Sequence, residues 1–477
     1  MDYRKEIESY MEAHRQEMID DICSLCSINS EKQPYKEGMP YGEGVYTALS
    51  AALSMAEDYG FSINNYDAYV GTVDLNDKEK GLDILAHLDV VPAGEGWKET
   101  QAFEPVVKDG RIYGRGTADD KGPAVAALYA MRAVKELGIP MEKNVRLILG
   151  TDEECGSSDI AHYYAIEKEA PMTFSPDADF PVTNTEKGRM NGHFTAQWAA
   201  DDALPKLCSI KAGTKINVLP GKAEATVQGL SRETLEEAAK KAEEKTGVRY
   251  EMRFEDFTEK EDDMVTVITA VGKAGHAAFP EEANNALTGL LAFINILPLK
   301  ESPCTKMLKA LEELIPHGDI YGENLGIAME DELSGKLTVV FSMLDADENG
   351  MEGWFDTRCP VCATEETVLQ KAKAAMEAKG ITFLTDSMRA PHHVDGNSHF
   401  VKTLLAVYEE YTGRKGECQS TGGGTYVHDL KNGVAFGATM PGTDNRMHGA
   451  DEFAVIDELV VSAKIFAQVI VNLCGAV

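Results

Sequence analysis

Short apolar runs separated by helical patterns organise the first part of the chain. Residues 42–61 carry apolar side chains at helical spacing, whereas residues 82–87, 145–149 and 172–174 are short apolar runs typical of buried strands. Helical segments stand between these runs. The alternation predicts an α/β fold in which a mostly parallel sheet carries helices on both faces.

The pattern changes in the middle of the chain. Between residues 188 and 391 the predicted strands are longer and more amphipathic, and helices are fewer. Residues 231–237 resemble residues 364–370, and each precedes an Ala/Lys-rich helix. Capping boxes are predicted at both places, from Thr234 with Glu237 and from Thr367 with Gln370. The repetition indicates a duplicated α+β unit.

The α/β alternation resumes after Pro391, with a predicted helix at 397–411 and a strand at 434–436. We therefore predict one domain formed by residues 1–187 and 392–477, interrupted by an inserted domain at 188–391.

Charge and composition narrow the class of protein. Subtracting 79 Asp+Glu from 46 Lys+Arg leaves a net charge of −33 over 477 residues. Such a surface repels nucleic acids and anionic membranes, so neither is an expected partner. The charged N-terminus lacks the apolar core of a signal peptide, and the last apolar stretch is short of the ~18 residues that a spanning helix needs. We expect a soluble, cytoplasmic protein.

The 9 cysteines are scattered and odd in number, which favours reduced thiols over a disulfide framework. Two C-x-x-C pairs, Cys23/Cys26 and Cys359/Cys362, leave a four-thiolate zinc site as an alternative. The first pair lies in an amphipathic helical pattern, where thiols act as small core residues.

Acidic and imidazole side chains follow several predicted strands, at the edge where open α/β sheets bind ligands. In an extended His87-Leu-Asp89, the first and third side chains face the same side, so Asp89 can orient the imidazole of a metal-bound His87. Asp119 lies at the glycine-rich head of a helix. Taken singly, these features also suit a solvated loop and an ordinary helix N-terminus.

The run Asp152-Glu153-Glu154 places three carboxylates side by side. Neighbouring side chains diverge, so one Glu can bind a metal while the other faces substrate, which suits a metal-activated water with a separate base. Alone, the run suits a solvated acidic turn. Together with Asp177 and the distal His448, the carboxylates and imidazoles form a fitting ligand set for two divalent cations that share one carboxylate.

These motifs resemble a known enzyme family. The segments AHLDVVPAG, GRGTADDKGP, GTDEECGS, SPDADFP, GKAGHAAFP, TGGGTY and HGADEF are similar to those of the co-catalytic zinc peptidases, which include aminoacylases, carboxypeptidases and succinyl-diaminopimelate desuccinylases. The resemblance is greatest to PepV-type Xaa-His dipeptidases (carnosinase-like) and covers the whole chain. It implies a catalytic domain and an α+β lid domain built from two ferredoxin-like units.

The resemblance also implies a role for each motif residue. One metal is held by His87 and Asp177, and the other by Glu154 and His448. Asp119, whose peptide bond to Asp120 is implied to be cis, bridges both metals. Glu153 is the general base, and Asp89 orients His87. Two cations are expected per chain, Zn²⁺ foremost, with Mn²⁺ or Co²⁺ as alternatives.

The inserted domain is implied to supply substrate contacts. His276 would stabilise the oxyanion, Arg358 would pair the substrate carboxylate, and the lid residue Asn217 and the amides of Gly423 and Gly424 would assist. Without the resemblance, His276 is better explained as a surface turn residue and the glycines as a flexible loop. Because the insert contains two related units, a monomer is expected.

The resulting hypothesis is a metal-dependent dipeptidase acting on unblocked dipeptides, including Xaa-His or β-Ala-His. An N-acyl amino acid deacylase of the same family is the first alternative. The resemblance implies that Asp rather than Glu at position 177 favours the dipeptidase and aminoacylase branches over the carboxypeptidase branch. An inactive peptide-binding relative is the second alternative, and the intact set of predicted ligands and base argues against it.

Overall fold

The computed structural model describes residues 3–254 and 264–476, which form two compact units. Unit 1 comprises Met1–Thr185, His393–Ser420 and Gly424–Val477, and unit 2 comprises Glu186–His392 and Thr421–Gly423. The tripeptide Thr421–Gly423 thus belongs to the unit formed by the insert, although the sequence pattern placed it with the flanking domain.

The helices in the described residues are α1 Arg4–Ala13, α2 Arg15–Cys26, α3 Glu43–Asp58, α4 Lys121–Glu136, α5 Ser158–Ile166, α6 Arg232–Thr246, α7 Ala286–Ile294, α8 Pro303–Leu314, α9 Leu369–Ala378, α10 His399–Thr412 and α11 Ile456–Cys474.

The strands are β1 Ser62–Tyr66, β2 Val70–Asp74, β3 Lys80–His87, β4 Val106–Lys108, β5 Arg111–Tyr113, β6 Asn144–Gly150, β7 Thr173–Ser175, β8 Ala178–Asp179, β9 Val182–Glu186, β10 Gly188–Gln197, β11 Lys206–Ala212, β12 Val218–Leu219, β13 Lys222–Gln228, β14 Arg249–Phe254, β15 Val265–Val271, β16 Gly275–His276, β17 Glu330–Asp331, β18 Gly335–Lys336, β19 Thr338–Ala346, β20 Gly350–Cys359, β21 Thr382–Phe383, β22 His392–His393, β23 Cys418–Thr421, β24 Gly433–Ala435, β25 Ala438–Thr439 and β26 Phe453–Val455.

Unit 1 is built on a mixed sheet of order β1-β2-β6-β3-β7-β24-β9-β22, with β23 paired to β9. Its centre, β6-β3-β7-β24, is parallel, and the strands on either side of that centre pair antiparallel. The predicted α/β class is therefore confirmed, with the parallel pairing confined to the middle of the sheet.

Alternate side chains of the central strands enter two different cores. Ile84 on β3 packs in a cluster with residues of α4 and α11. Leu85, its neighbour, lies in a second cluster with Ile160 and Tyr163 of α5. Because successive strand residues point to opposite faces, both faces of the sheet are covered by helices, as predicted.

The parallel strands deliver the predicted ligands to one edge. His87 is the last residue of β3, Glu153 and Glu154 form a short 3₁₀ turn after β6, and Asp177 follows β7. Parallel neighbours end at the same edge of a sheet, so these side chains are brought together although they are distant in sequence.

Unit 2 contains an eight-stranded sheet of order β14-β15-β13-β11-β19-β20-β10-β21. One face packs in a single apolar core that includes residues of α6 to α9. On β10, buried residues alternate with half-buried or exposed ones, so Met190 and Phe194 face this core while Arg189 lies on the other face.

The predicted capping boxes at Thr234/Glu237 and Thr367/Gln370 are wrong. The cap of α6 is Ser231, whose hydroxyl accepts a hydrogen bond from the amide of Thr234, so the helix begins one turn earlier. In the second copy, Thr364 accepts from the amide of Thr367 in a turn before α9, which has no side-chain cap. The two threonines predicted as caps, Thr234 and Thr367, are thus amide donors to a hydroxyl residue three positions earlier.

Among the described residues, the helices are all too short or too polar to cross a bilayer.

Candidate metal centre

His87 is held by its own strand end. Its Nδ1 lies 3.0 Å from the main-chain oxygen of Asp89 and 3.5 Å from the Asp89 carboxylate. The amide of His87 donates to the carboxylate of Asp120. With Nδ1 engaged in this way, Nε2 is the ring nitrogen that faces the other acidic side chains.

Asp119 lies between two imidazoles that come from opposite ends of the chain. One carboxylate oxygen is 2.9 Å from Nε2 of His87, and the other is 2.8 Å from Nε2 of His448. Burial acts to raise the pKa of Asp119, but the interactions with His448 and His87 outweigh burial and lower the pKa. A buried carboxylate with one oxygen on each imidazole has the geometry of a shared ligand.

Two groups of potential ligand atoms result, and within each group all atoms lie within 4.8 Å of one another. His87, Asp119 and Asp177 form the first group, and Asp119, Glu154 and His448 form the second. Glu154 is 3.1 Å from His448, and Asp177 is 3.7 Å from His87. The structure thus brings together all five residues expected to hold metal.

Buried atoms in this cluster lack hydrogen-bond partners among the described residues. Nε2 of His87 and Oδ1 of Asp119 are both buried and unsatisfied, because their close approach does not have hydrogen-bond geometry. Unpaired buried polar atoms are costly unless a ligand satisfies them. Imidazole and carboxylate donors in this number suit Zn²⁺, Mn²⁺ or Co²⁺, so the residues present fit a pair of divalent cations.

The carboxylates also change the protonation of the histidines. Interactions with Asp119 and then Glu154 raise the pKa of His448 to about 10. For His87, burial acts to lower the pKa, but the carboxylates of Asp119 and Asp89 raise it well above its usual value. Because metal ligation requires neutral imidazole, a cation would compete with protons at both rings.

Glu153 differs from its neighbours because its carboxylate makes no hydrogen bond or ion pair with any described residue. Burial, opposed by the charge of His87 and reinforced by Glu154, raises its pKa to about 8. Its main chain is fixed, since its amide donates to Asp89. The side chain is therefore positioned beside the ligands without being one of them.

Asp89 makes a contact that sequence reasoning missed. Its two carboxylate oxygens accept hydrogen bonds from the amides of Glu153 and Glu154, each at 3.1 Å. The hydrogen bond to the imidazole of His87 is made by its main-chain oxygen instead. Asp89 therefore ties the β3 and β6 exits together, in addition to lying beside His87.

Asp159 and Tyr426 support the same turn from the other side. The carboxylate of Asp159 accepts from the amides of Thr151 and Asp152 and from the hydroxyl of Tyr426. The ring of Tyr426 lies edge-on to His87 at 6.2 Å. These contacts join the Glu153 turn to the segment after the glycine loop.

Glu452 is another functional candidate that sequence reasoning missed. It is fully buried, and one carboxylate oxygen accepts hydrogen bonds from the amides of Gly116, Ala118 and Asp119. Glu452 lies in the HGADEF segment with His448, which was the sequence feature that could have indicated a role at the metal site. The local sequence does not predict its hydrogen bonds to a loop more than 330 positions away.

Unit 2 brings several of the predicted substrate contacts together. Val218, next to Asn217, pairs with His276, and the main-chain oxygen of Asn217 accepts from the amide of Ala277. The amide of Ala278 donates to Nδ1 of His276. An Nδ1 that accepts leaves the proton of a neutral ring on Nε2, which is the tautomer that a hydrogen-bond donor requires.

Arg358 is buried and already paired. Its Nε and Nη2 donate to both carboxylate oxygens of Asp356, and Nη1 donates to the main-chain oxygen of Gly422 at 2.6 Å. A side chain at Gly422 would meet Ala278, so Gly422, Arg358 and the His276 segment are neighbours within unit 2.

Arg189 lies opposite Arg358 on the adjacent strand, and the two side chains therefore share a face of the sheet. Its guanidinium has no hydrogen-bond or ion-pair partner among the described residues, whereas that of Arg358 has three acceptors. Two guanidinium groups in direct register repel each other, so an anion would be favoured beside them.

The glycines of the loop, the Asp119–Asp120 peptide and the two C-x-x-C pairs were also singled out from the sequence. The amide of Gly423 donates to the hydroxyl of Thr421, and Gly424 is the first residue of a unit 1 segment. The Asp119–Asp120 peptide is cis. The C-x-x-C pairs lie in different units, with Cys23 and Cys26 on α2 and Cys359 and Cys362 in unit 2, and the potential metal groups in the described residues contain no thiol.

Similarity to known proteins extends over most of the chain. The model of peptidase family M20/M25/M40 matches residues 84–472. A putative dipeptidase, YtjP, of Bacillus subtilis is 35% identical over 96% of this chain and 97% of its own. A Beta-Ala-Xaa dipeptidase of Lactobacillus delbrueckii subsp. lactis is 34% identical over 97% of each chain.

Solved structures share the fold at low sequence identity. Human carnosine dipeptidase 1 is 14% identical, covers 99% of both chains and has a TM-score of 0.59. Aminoacylhistidine dipeptidase from Vibrio alginolyticus is 13% identical, covers 96% of this chain and 97% of its own, and has a TM-score of 0.58.

Proposed function

The chain belongs to peptidase family M20/M25/M40, and from this premise we propose that it is a two-metal dipeptidase acting on unblocked dipeptides. The observation that carries the proposal is Asp119, whose two oxygens face the histidines of two separate ligand groups. The names of its relatives support dipeptides as substrates, with Xaa-His or β-Ala-Xaa peptides as the first to test. We further propose a cytoplasmic monomer.

In this proposal the first cation would be held by His87, Asp119 and Asp177, and the second by Asp119, Glu154 and His448. Bound cations supply Lewis-acid polarisation of the scissile carbonyl and lower the pKa of water. Glu153 accepts the proton of the attacking water and passes it to the leaving amine. Asp89 holds the Glu153 turn so that this carboxylate stays in place.

We propose that the free carboxylate of the substrate is recognised by Arg189 together with Arg358. Arg358 is neutralised by Asp356 and is held to Gly422, whereas Arg189 retains its donors and its charge. A carboxylate placed between the two would relieve their repulsion and accept charge-assisted hydrogen bonds. This recognition would distinguish peptides with a free C-terminal carboxylate from amidated ones.

The test of the proposed function compares a dipeptide such as Ala-His, its C-terminal amide and N-acetyl-methionine. We expect the free dipeptide to be the best substrate. Amidation should lower kcat/KM by about tenfold to a hundredfold, because a charge-assisted contact worth roughly 1.5–3 kcal/mol is lost. Faster hydrolysis of N-acetyl-methionine than of any dipeptide would identify a deacylase instead.

The same assay tests the carboxylate site. Arg189→Met should lose a similar factor on the free dipeptide, and amidation should then cost this variant little, because both changes remove one interaction. Arg249→Met, at an exposed position of β14 in the same unit, is the matched control and should behave as wild type. Equal losses on acid and amide in Arg189→Met would contradict the assignment.

His276 is proposed to donate a hydrogen bond to the developing oxyanion. His276→Ala is expected to lower kcat about 10²–10³-fold, as for the loss of one oxyanion donor, while metal content stays unchanged. His193→Ala, which removes a half-buried histidine from β10 of the same unit, is the control. Activity of His276→Ala near that of wild type would exclude this role.

A further inference from the structure

Glu452 lies where two loops that carry metal-site residues meet. It follows His448 by four positions and directly precedes β26, which pairs with β5. The amide of Gly114, just after β5, donates to its main-chain oxygen. This pairing places a buried carboxylate beneath the loop that leads to Asp119.

The side chain of Glu452 holds that loop by its main chain. One oxygen accepts hydrogen bonds from the amides of Gly116 at 3.0 Å, Ala118 at 3.1 Å and Asp119 at 3.3 Å. The other oxygen accepts from Nη1 of Arg115. The loop thus wraps around the carboxylate, which fixes the backbone from which the Asp119 side chain projects.

Arg115 connects Glu452 to a third loop, the one that follows β3. It is also buried, and its Nη2 lies 3.3 Å from the main-chain oxygens of both Pro92 and Ala93. Its guanidinium stacks over the ring of Trp97 at 5.5 Å. Pro92 and Ala93 follow the β3 exit that carries His87, so the pair joins the segments of His87, Asp119 and His448.

A buried ion pair is a weak source of net stability, because desolvation offsets most of the attraction. The carboxylate of Glu452 nevertheless fixes the backbone of the Asp119 loop through three amide hydrogen bonds, which an apolar side chain could not accept. Asp119 has to present both oxygens at once, one toward each histidine, which leaves little tolerance in its backbone position.

We propose that Glu452 and Arg115 form a positioning pair that sets the orientation of Asp119 for sharing between two cations. The pair touches neither metal nor substrate and acts through the Asp119 loop. The inference rests on the metal centre of the proposed function, and it assigns to Glu452 a role in cation affinity rather than in chemistry.

The experiment measures cation retention. Holoenzyme carrying Glu452→Gln is dialysed against chelators of graded affinity, and bound Zn²⁺ is quantified. Glutamine can still accept from the amides, but its NH₂ group faces the Arg115 donors. We expect retention to weaken by about 10–100-fold, as is usual when an outer partner of a ligand is lost.

Asp74→Asn is the matched control. Asp74 forms a partly buried ion pair with Arg146, at 2.8 Å, toward the opposite end of β6 from the Glu153 turn. Its loss should lower the melting temperature and leave cation retention unchanged. A purely structural role of Glu452 predicts the same result for Glu452→Gln, and that result would overturn the proposal.

Three further results bear on the proposal. Arg115→Met combined with Glu452→Gln should weaken retention no more than the stronger single variant, because the two residues act as one unit; additive losses would count against the pair. If Glu452→Gln does not fold, Arg115→Lys is judged by the same retention criterion. Failure of the wild type itself to retain two cations would refute the proposed function, separately from this inference.

Discussion

Substituting Glu153 with glutamine is expected to lower kcat by about 10²–10⁴-fold, the usual contribution of a general base. The amide is isosteric with the carboxylate but cannot accept a proton. Glu153 makes no polar side-chain contact with a described residue, so little structure depends on its charge. Steady-state kinetics on the best dipeptide, with metal analysis of the same preparation, checks the prediction.

The control for this variant is Cys155→Ser, on the same 3₁₀ turn and exposed. It disturbs the turn without changing a carboxylate, and its kcat should stay within a few-fold of wild type. Glu153→Gln should retain both cations, because Glu153 is outside the two ligand groups. Activity of Glu153→Gln within tenfold of wild type would show that another group takes the proton.

The sequence was most informative where a potential metal ligand lies at the end of a predicted strand. The short apolar runs predicted β3, β6 and β7, and parallel pairing then required that their exits meet. His87, Glu154 and Asp177 could therefore be grouped from the sequence alone. Asp119 and His448 follow no strand of that sheet. The chemistry of their side chains placed them in the predicted ligand set, and the family resemblance then assigned each of them a role.

Contacts between distant main-chain and side-chain groups could not be predicted in this way. The amides held by Asp89 and Glu452 carry no residue-specific signal, because every residue except proline has an amide. Arg358 was expected to await a ligand, yet Asp356, two residues earlier on the same strand face, holds it with both oxygens. The pairing with Arg189 depends on strand register, which the amphipathic pattern leaves open.

The capping boxes failed for a different reason. In both copies a hydroxyl residue precedes a second one by three positions, so the local pattern offers two possible helix starts. The structure uses Ser231 rather than Thr234 as the cap of α6, and the corresponding Thr364 closes a turn before α9. Local sequence could identify the repeated motif but could not choose between its two registers.

Removal of divalent cations is expected to abolish activity, and adding back Zn²⁺, Mn²⁺ or Co²⁺ should restore it. The largest loss from a single ligand should come from Asp119→Asn, because both groups contain Asp119. An amide cannot present two anionic oxygens, so both sites lose a charged ligand. We expect kcat/KM to fall at least about 10³-fold, which corresponds to several kcal/mol of transition-state stabilisation.

Asp177→Asn is the comparison that shows whether Asp119 is a ligand of both cations, since Asp177 belongs to one ligand group only. Metal analysis should give two cations for wild type, fewer than one for Asp119→Asn, and close to one for Asp177→Asn. If Asp119→Asn instead lost a single cation, Asp119 would serve one site and the two sites would be independent. A fully active wild type with one cation per chain would contradict the two-metal mechanism itself, because the second group, containing Glu154 and His448, would then be unnecessary.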